Sequence, residues 1–323
     1  MLKKILDSTR IKRILDNGHW QTIIPLILTN QLIKVEYLRQ RVYTPDNDFI
    51  DLDWVNPDVV DKPTVILFPG MEGSSDSHYA KRVMYYLKQI GWRGVVAHAR
   101  GCSGELNLTF NFYHGGFTTD LAFVIETVKK VTPAQLFVTG VSLSGNMLLK
   151  LLGENNPAAN LLNAAIAISV PFDLMAASLQ IDSGLNRRLY VPYFLKSLLP
   201  KMKQYAEKYP DLKWQKVDSL DEFNDKYITQ MYRFKSAIEY YQKSSSKFFI
   251  DKIKQPTMII QSANDPMIPF DSWPDRVQLP DVIKFVGLNY GGHAGFVGNN
   301  EDLLAALLKL PRIMVQYYSK HLD

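Results

Sequence analysis

The sequence predicts an α/β fold, a mostly parallel central sheet flanked by helices and carrying a helical insertion. Three observations lead there. Short β-rich apolar runs alternate with helical patterns along most of the chain, as in a parallel sheet with crossover helices. A glycine- and serine-rich turn, GVSLSG (140–145), stands between a buried strand and a helix. Residues 173–250 break the rhythm, with helical spacing and no clear strand.

The elements follow in order. Residues 48–55 alternate Phe49, Ile50, Leu52 and Trp54 with Asp48, Asp51 and Asp53, which reads as a half-exposed, early antiparallel strand. TVILF (64–68), closed by Pro69-Gly70, reads as a buried central strand. Tyr79, Val83, Tyr86, Leu87 and Ile90 have helical spacing, and GVVAH (94–98) is the next strand. A helix over 117–130, a strand over 136–140 and a helix over 143–153 come next, followed by strands at 163–170, 256–262 and 282–287. A last helix, about 299–319, is expected to kink or divide at Pro311. Residues 1–45 are expected to form a helical extension, and 173–250 a helical cap over the strand C-terminal ends, where open α/β sheets bind ligands. The 323 residues are expected to form one domain.

Composition narrows the function. With 37 Lys and Arg against 32 Asp and Glu the chain is only mildly basic, and no nucleic-acid-binding pattern occurs. The lysine-rich stretch 196–216 reads as a solvated helix face, with contact to anionic lipid or an anionic substrate as the alternative. The single cysteine, Cys102, excludes an intrachain disulfide and a cysteine-based zinc cluster, and reads as a buried structural thiol. No histidine pair has metal-ligand spacing, so no metal is expected. The Gly-rich ARGCSGE (99–105) lacks phosphate-loop spacing, so no cofactor is expected either. Neither a signal peptide nor a membrane-spanning run is read, and a cytoplasmic location is expected. MLKKILDSTRIKRIL is basic and partly amphipathic, which leaves peripheral membrane contact and packing on the body both open.

The chemistry centres on VTGVSLSGNML (138–148). A strand, a tight turn of small residues and a helix form the setting of a nucleophile elbow, with Ser142 projecting beside a helix N-terminus. The usual pattern is G-x-S-x-G, and here Ser144 fills the last position. Ser144 itself is out of register as a nucleophile. A serine hydroxyl needs a base. Of six histidines (19, 78, 98, 114, 293 and 321), His293 lies on a Gly-rich loop between the last strand and last helix. His98 reads as core, and His321 lies at the terminus. Asp265, directly after a buried strand, is the candidate to orient the base, giving the order Ser142, Asp265, His293. Asp173 after the preceding strand is its rival, and an Asx-turn role for Asp265 is the alternative. Backbone N–H groups of Leu143 and Met71 are the candidate oxyanion donors, since Pro69 has none. His114 and Asp120 lie near a helix start that Thr118 or Thr119 would cap, and read as structural or supporting.

These residues resemble the YheT-like branch of the α/β-hydrolase fold family. The likeness runs through NGHWQTIIP (17–25), DLDW (51–54), FPGMEGSSDSHY (68–79), ARGCSGELN (99–107), YHGGFTTDL (113–121), GVSLSGN (140–146), SANDP (262–266) and GGHAGFVG (291–298). The family triad falls on Ser142, Asp265 and His293. Ser144 departs from the family's usual Gly, and Phe68-Pro69-Gly70 from its His-Gly pair. The resemblance implies hydrolysis of a small-molecule carboxylic ester, of lipid or short-to-medium acyl chains. Acyl transfer to an alcohol, peptide cleavage and non-catalytic ligand binding remain as alternatives, and oligomeric state is left open.

Overall fold

The structure, a computed structural model, describes residues 16–298 and 302–322. Among these residues, eight strands form one sheet: β1 (Leu38–Tyr43), β2 (Phe49–Val55), β3 (Thr64–Phe68), β4 (Arg93–Ala97), β5 (Leu136–Val141), β6 (Ala164–Ile168), β7 (Thr257–Ser262) and β8 (Ile283–Leu288). Their order is β1-β2-β4-β3-β5-β6-β7-β8. β2 is antiparallel to both of its neighbours, and every other pair is parallel. β3 connects outward to β4 on one side, while β5 continues on the other. The strand order therefore reverses between β3 and β5, and a crevice opens at their C-terminal ends.

Helices cover both faces. Along β3, Ile66 and Phe68 pack with α3 (Thr119–Lys130) and α4 (Leu143–Gly153), while Val65 and Leu67 face the opposite layer. That layer contains α2 (His78–Gln89). A strand covered on both faces must be apolar throughout, which is why TVILF has no polar alternation. α1 (Gly18–Leu32) precedes the sheet. Between β6 and β7 come α5 (Leu174–Ile181), α6 (Gly184–Lys208), α7 (Leu220–Phe223), α8 (Thr229–Tyr232) and α9 (Ala237–Ser244). Their buried sides form a separate apolar cluster with Phe112, Tyr113, Met267 and Ile268. The chain ends on α10 (Leu303–Leu307) and α11 (Lys309–Tyr318), a division at Leu308 that leaves Pro311 in a first turn, where it is tolerated. No helix among the described residues is long and apolar enough to cross a membrane.

Several expectations need correction. β2 is antiparallel but buried along its whole length, not half-exposed. Its acidic side chains are covered by partners: Arg39 and His98 on Asp53, and Arg41 on Asp51. Arg39 and Arg41 belong to β1, a strand inside the stretch expected to be helical. The basic segment 1–15 lies outside the described residues. Thr118 precedes α3 without capping it, because its hydroxyl donates to Glu154 instead. Within the lysine-rich stretch, Lys201 leaves the solvated face and pairs with Glu72.

Candidate active site

β5 runs directly into Ser142 and then α4. Ser142 has φ 54 and ψ −122, a conformation that L-residues avoid, and such strain concentrates at functional sites. The turn closes because neighbouring backbone comes in tightly. A Cβ on Gly140 would stand 2.4 Å from the Ser144 carbonyl oxygen. Ser144 takes no part in the exposed tip. Its buried hydroxyl donates to the Pro69 carbonyl, tying the elbow to the turn after β3.

His293 Nε2 lies 2.9 Å from Ser142 Oγ, and its Nδ1 lies 2.8 Å from Asp265 Oδ2. Asp265 is 6% exposed, and its Oδ1 accepts N–H bonds from Met267 and Ile268. A carboxylate at Nδ1 holds that nitrogen as the donor and leaves Nε2 to accept from the serine. Asp173 stands elsewhere: it caps α5, accepting from Met175 and Ala176, and pairs with Lys247.

The turn after β3 faces Ser142 closely. A Cβ on Gly70 would lie 2.9 Å from Ser142 Cβ. Gly70 N–H donates to Tyr79 Oη at 2.9 Å and Glu72 N–H to Tyr113 Oη at 2.7 Å. Between them, Met71 N–H donates to no acceptor among the described residues. Leu143, the first residue of α4, likewise has its N–H at a helix start.

Ser142, His293, Met71 and Leu143 line the same cavity, beneath the helices that follow β6. Among the described residues, no Asp, Glu, Lys or Arg lines it. Leu174, Phe194, Leu198, Phe223, Ile228 and Met267 are among its apolar wall residues. His114 also reaches this wall, a place its motif did not reveal. Burial, with help from Lys150, pushes its imidazole down to about 3, so the ring is neutral. Gly116 N–H donates to its Nδ1. His98 and Cys102 lie apart from the cavity. His98 bonds Asp53, and burial with the nearby Glu72 pushes the Cys102 thiol up to about 12. Asp120 pairs with Arg100.

The loop bearing His293 is fastened by residues that sequence reasoning passed over. Thr22 Oγ1 accepts the His293 N–H at 2.9 Å, and Gln21 Oε1 accepts the Gly291 N–H at 2.6 Å, both from α1. Asn264, beside Asp265, accepts from Gly291 and Gly292 and donates to Gln21. Ala294 N–H donates to Ser169 at the end of β6, and the buried Arg82 donates to Gly295 O at 2.6 Å. These bonds hold Ala294 and Phe296 at φ 56 and 44. The only trace in the sequence is that NGHWQT and SANDP belong to the stretches carrying the family resemblance.

A serine at the tip of a strained strand–helix turn, facing an imidazole and a carboxylate delivered by later strands of this sheet, is the arrangement of an α/β hydrolase. A family model described as alpha/beta hydrolase fold matches residues 63–299. "Putative esterase YheT" of Escherichia coli K12 is 34% identical over 292 residues, covering 87% of this chain and 85% of that protein. Human "Phospholipase ABHD3" is 30% identical, covering 87% and 71%. Among solved structures, the Pyrococcus furiosus esterase Pf2001 superposes with a TM-score of 0.56 at 14% identity, covering 89% and 94%, a likeness of fold. The chain belongs to the alpha/beta-hydrolase fold family, in its YheT-like branch.

Proposed function

We propose that this protein hydrolyses carboxylic esters through an acyl-enzyme, with Ser142 as nucleophile, His293 as base and Asp265 as its orienting acid. The observation that carries the proposal is the bonded line Asp265–His293–Ser142 at the wall of an apolar cavity. Ser142 Oγ attacks the acyl carbonyl while its proton passes to His293 Nε2. Asp265 keeps the Nδ1–H tautomer and stabilises the imidazolium. Met71 and Leu143 N–H groups receive the charge that develops on the carbonyl oxygen. Collapse expels the alcohol, which takes the proton from His293. Water, deprotonated by the same imidazole, then releases the acid.

The uncharged cavity suits an apolar acyl chain, and the names of its relatives, among them a monoacylglycerol lipase of Saccharomyces cerevisiae, agree with an ester of that kind. A chain-length series of p-nitrophenyl esters, with wild type and Ser142→Ala under one set of conditions, tests the proposal. Turnover lost in the variant, together with loss of fluorophosphonate labelling, is expected. Labelling or turnover that persists in Ser142→Ala removes Ser142 as the nucleophile. In added alcohol, ester rather than acid as the main product would point to acyl transfer.

A further inference from the structure

The turn that carries Met71 is fastened at its next residue. Glu72 sits at φ 58, in the left-handed region that costs energy for a residue with a side chain. Both its backbone and its carboxylate are held. Its N–H donates to Tyr113 Oη at 2.7 Å, and that hydroxyl donates back to Glu72 Oε1 at 2.8 Å. Glu72 Oε2 accepts Lys201 Nζ at 2.6 Å and also the Ser197 hydroxyl. The Glu72 side chain is 5% exposed and that of Lys201 16%. Ser197 and Lys201 stand one turn apart on α6, a helix of the segment between β6 and β7 that roofs the cavity.

The placement gives this ion pair a meaning beyond adhesion. A buried ion pair contributes little net stability, because desolvation offsets the attraction. What it supplies is direction, since a carboxylate with three charged or hydroxyl donors has one orientation. Gly70 is pinned on the other side by Tyr79. The peptide N–H of Met71 is thus aimed by two anchors, and the second belongs to α6.

We infer that Glu72 is a positioning residue, whose carboxylate, gripped by Lys201 and Ser197 of α6 and by Tyr113, sets the Met71 N–H toward the oxyanion and makes the oxyanion hole depend on the seating of α6. The inference rests on the proposed ester hydrolysis. Glu72 touches no reacting atom and acts through the backbone that follows Gly70.

The test uses the full chain with Glu72→Gln, Lys201→Met, Lys201→Arg and Ser197→Ala. Each is assayed for kcat and KM on a p-nitrophenyl ester, for inhibition by an alkyl boronic acid, whose serine adduct is a tetrahedral anion, and for melting temperature. In Glu72→Gln and Lys201→Met, kcat should fall about 10- to 100-fold while KM stays within about two-fold, as for a group acting only in the transition state. Boronic acid affinity should weaken in step with kcat. Lys201→Arg should recover most of the loss, and Glu72→Gln with Lys201→Met should be no worse than the poorer single variant. If Glu72→Gln does not fold, Ser197→Ala, on an exposed helix face, carries the same comparison with a smaller drop. A lowered melting temperature with kcat intact, or a fall in kcat with boronic acid affinity unchanged, overturns the inference. Wild type that turns over no ester and leaves Ser142 unlabelled overturns the hydrolase reading and this inference together. Active, labelled wild type beside variants of undiminished kcat overturns this inference alone.

Discussion

Thr22 Oγ1 accepts the backbone N–H of His293 at 2.9 Å across 271 positions of sequence, so α1 sets the height of the imidazole over Ser142. The same hydroxyl donates to Gly18 O at 2.7 Å, which fixes its lone pairs. Thr22→Val keeps the shape and removes the acceptor. Its kcat should fall about ten-fold through a displaced base, with little change in KM, while Thr22→Ser stays near wild type. Steady-state kinetics of the pair decides this, and equal activity of Val and Ser variants would show that the bond does not aim the ring.

Asp265→Asn should keep the geometry and lose the tautomer. An amide that donates to Nδ1 turns Nε2 into a donor, which cannot accept the Ser142 proton. The expected loss in kcat is about 10³- to 10⁴-fold, with folding nearly unchanged. Burst-phase assays and circular dichroism on one preparation measure both. Asp173→Asn, whose site is a helix cap, should leave kcat within about two-fold of wild type.

Gly70→Ala places a methyl group 2.9 Å from Ser142 Cβ and 3.2 Å from the Val141 carbonyl oxygen. Neither neighbour can withdraw without moving the elbow. The rate of fluorophosphonate labelling should drop about 100-fold or more, since both the serine and the Met71 N–H shift together. An unaltered labelling rate would mean that the turn after β3 gives way freely.

Stability should fall in two stages as pH drops. Burial holds the His114 imidazole down at about 3, and it holds His78 well below the usual histidine range, with Arg82 and His293 adding to the effect. Unfolded histidines take up protons near pH 6.5 while these two do not, so stability declines from about there downward. The carboxyls of Asp48 and Asp53 come next. Burial works to raise them, but hydrogen bonds from Thr109, Leu108 and Asn107 on Asp48, and from Arg39, His98 and Ser75 on Asp53, leave both lowered. Their stabilisation is complete above the unfolded carboxyl value near 3.9 and disappears as pH falls toward their lower folded values. Urea midpoints measured from pH 7 to 3 should show both stages, and His114→Gln should flatten the first.

Much of the frame was legible because it rests on local pattern. β3, β5 and β6 are continuous apolar runs, and Ser142, Asp265 and His293 each follow a strand end in the order that this family's resemblance implies. β1 was missed because Leu38, Arg39, Gln40 and Arg41 show no apolar alternation; its arginines answer charges on β2 instead of a core. The same pairing hid the burial of Asp51 and Asp53, since an acidic residue in a sequence reads as solvent-facing. The roles of Thr22, Gln21, Asn264 and Glu72 were hidden for a different reason. Each acts on a backbone or a side chain far away in the chain, and such contacts leave no period or spacing to detect.

β1 closes one edge of the sheet, and its Arg39 and Arg41 lean across to Asp53 and Asp51 while remaining 45% and 33% exposed. A second molecule approaching that edge meets a strand that carries charged side chains, a feature that opposes pairing with a strand of another chain. Edge strands that lack such a guard recruit strands from other chains and seed fibres. Two arginine-to-valine changes would remove that guard and take from Asp53 and Asp51 their partners on the edge, so aggregation at high concentration should rise.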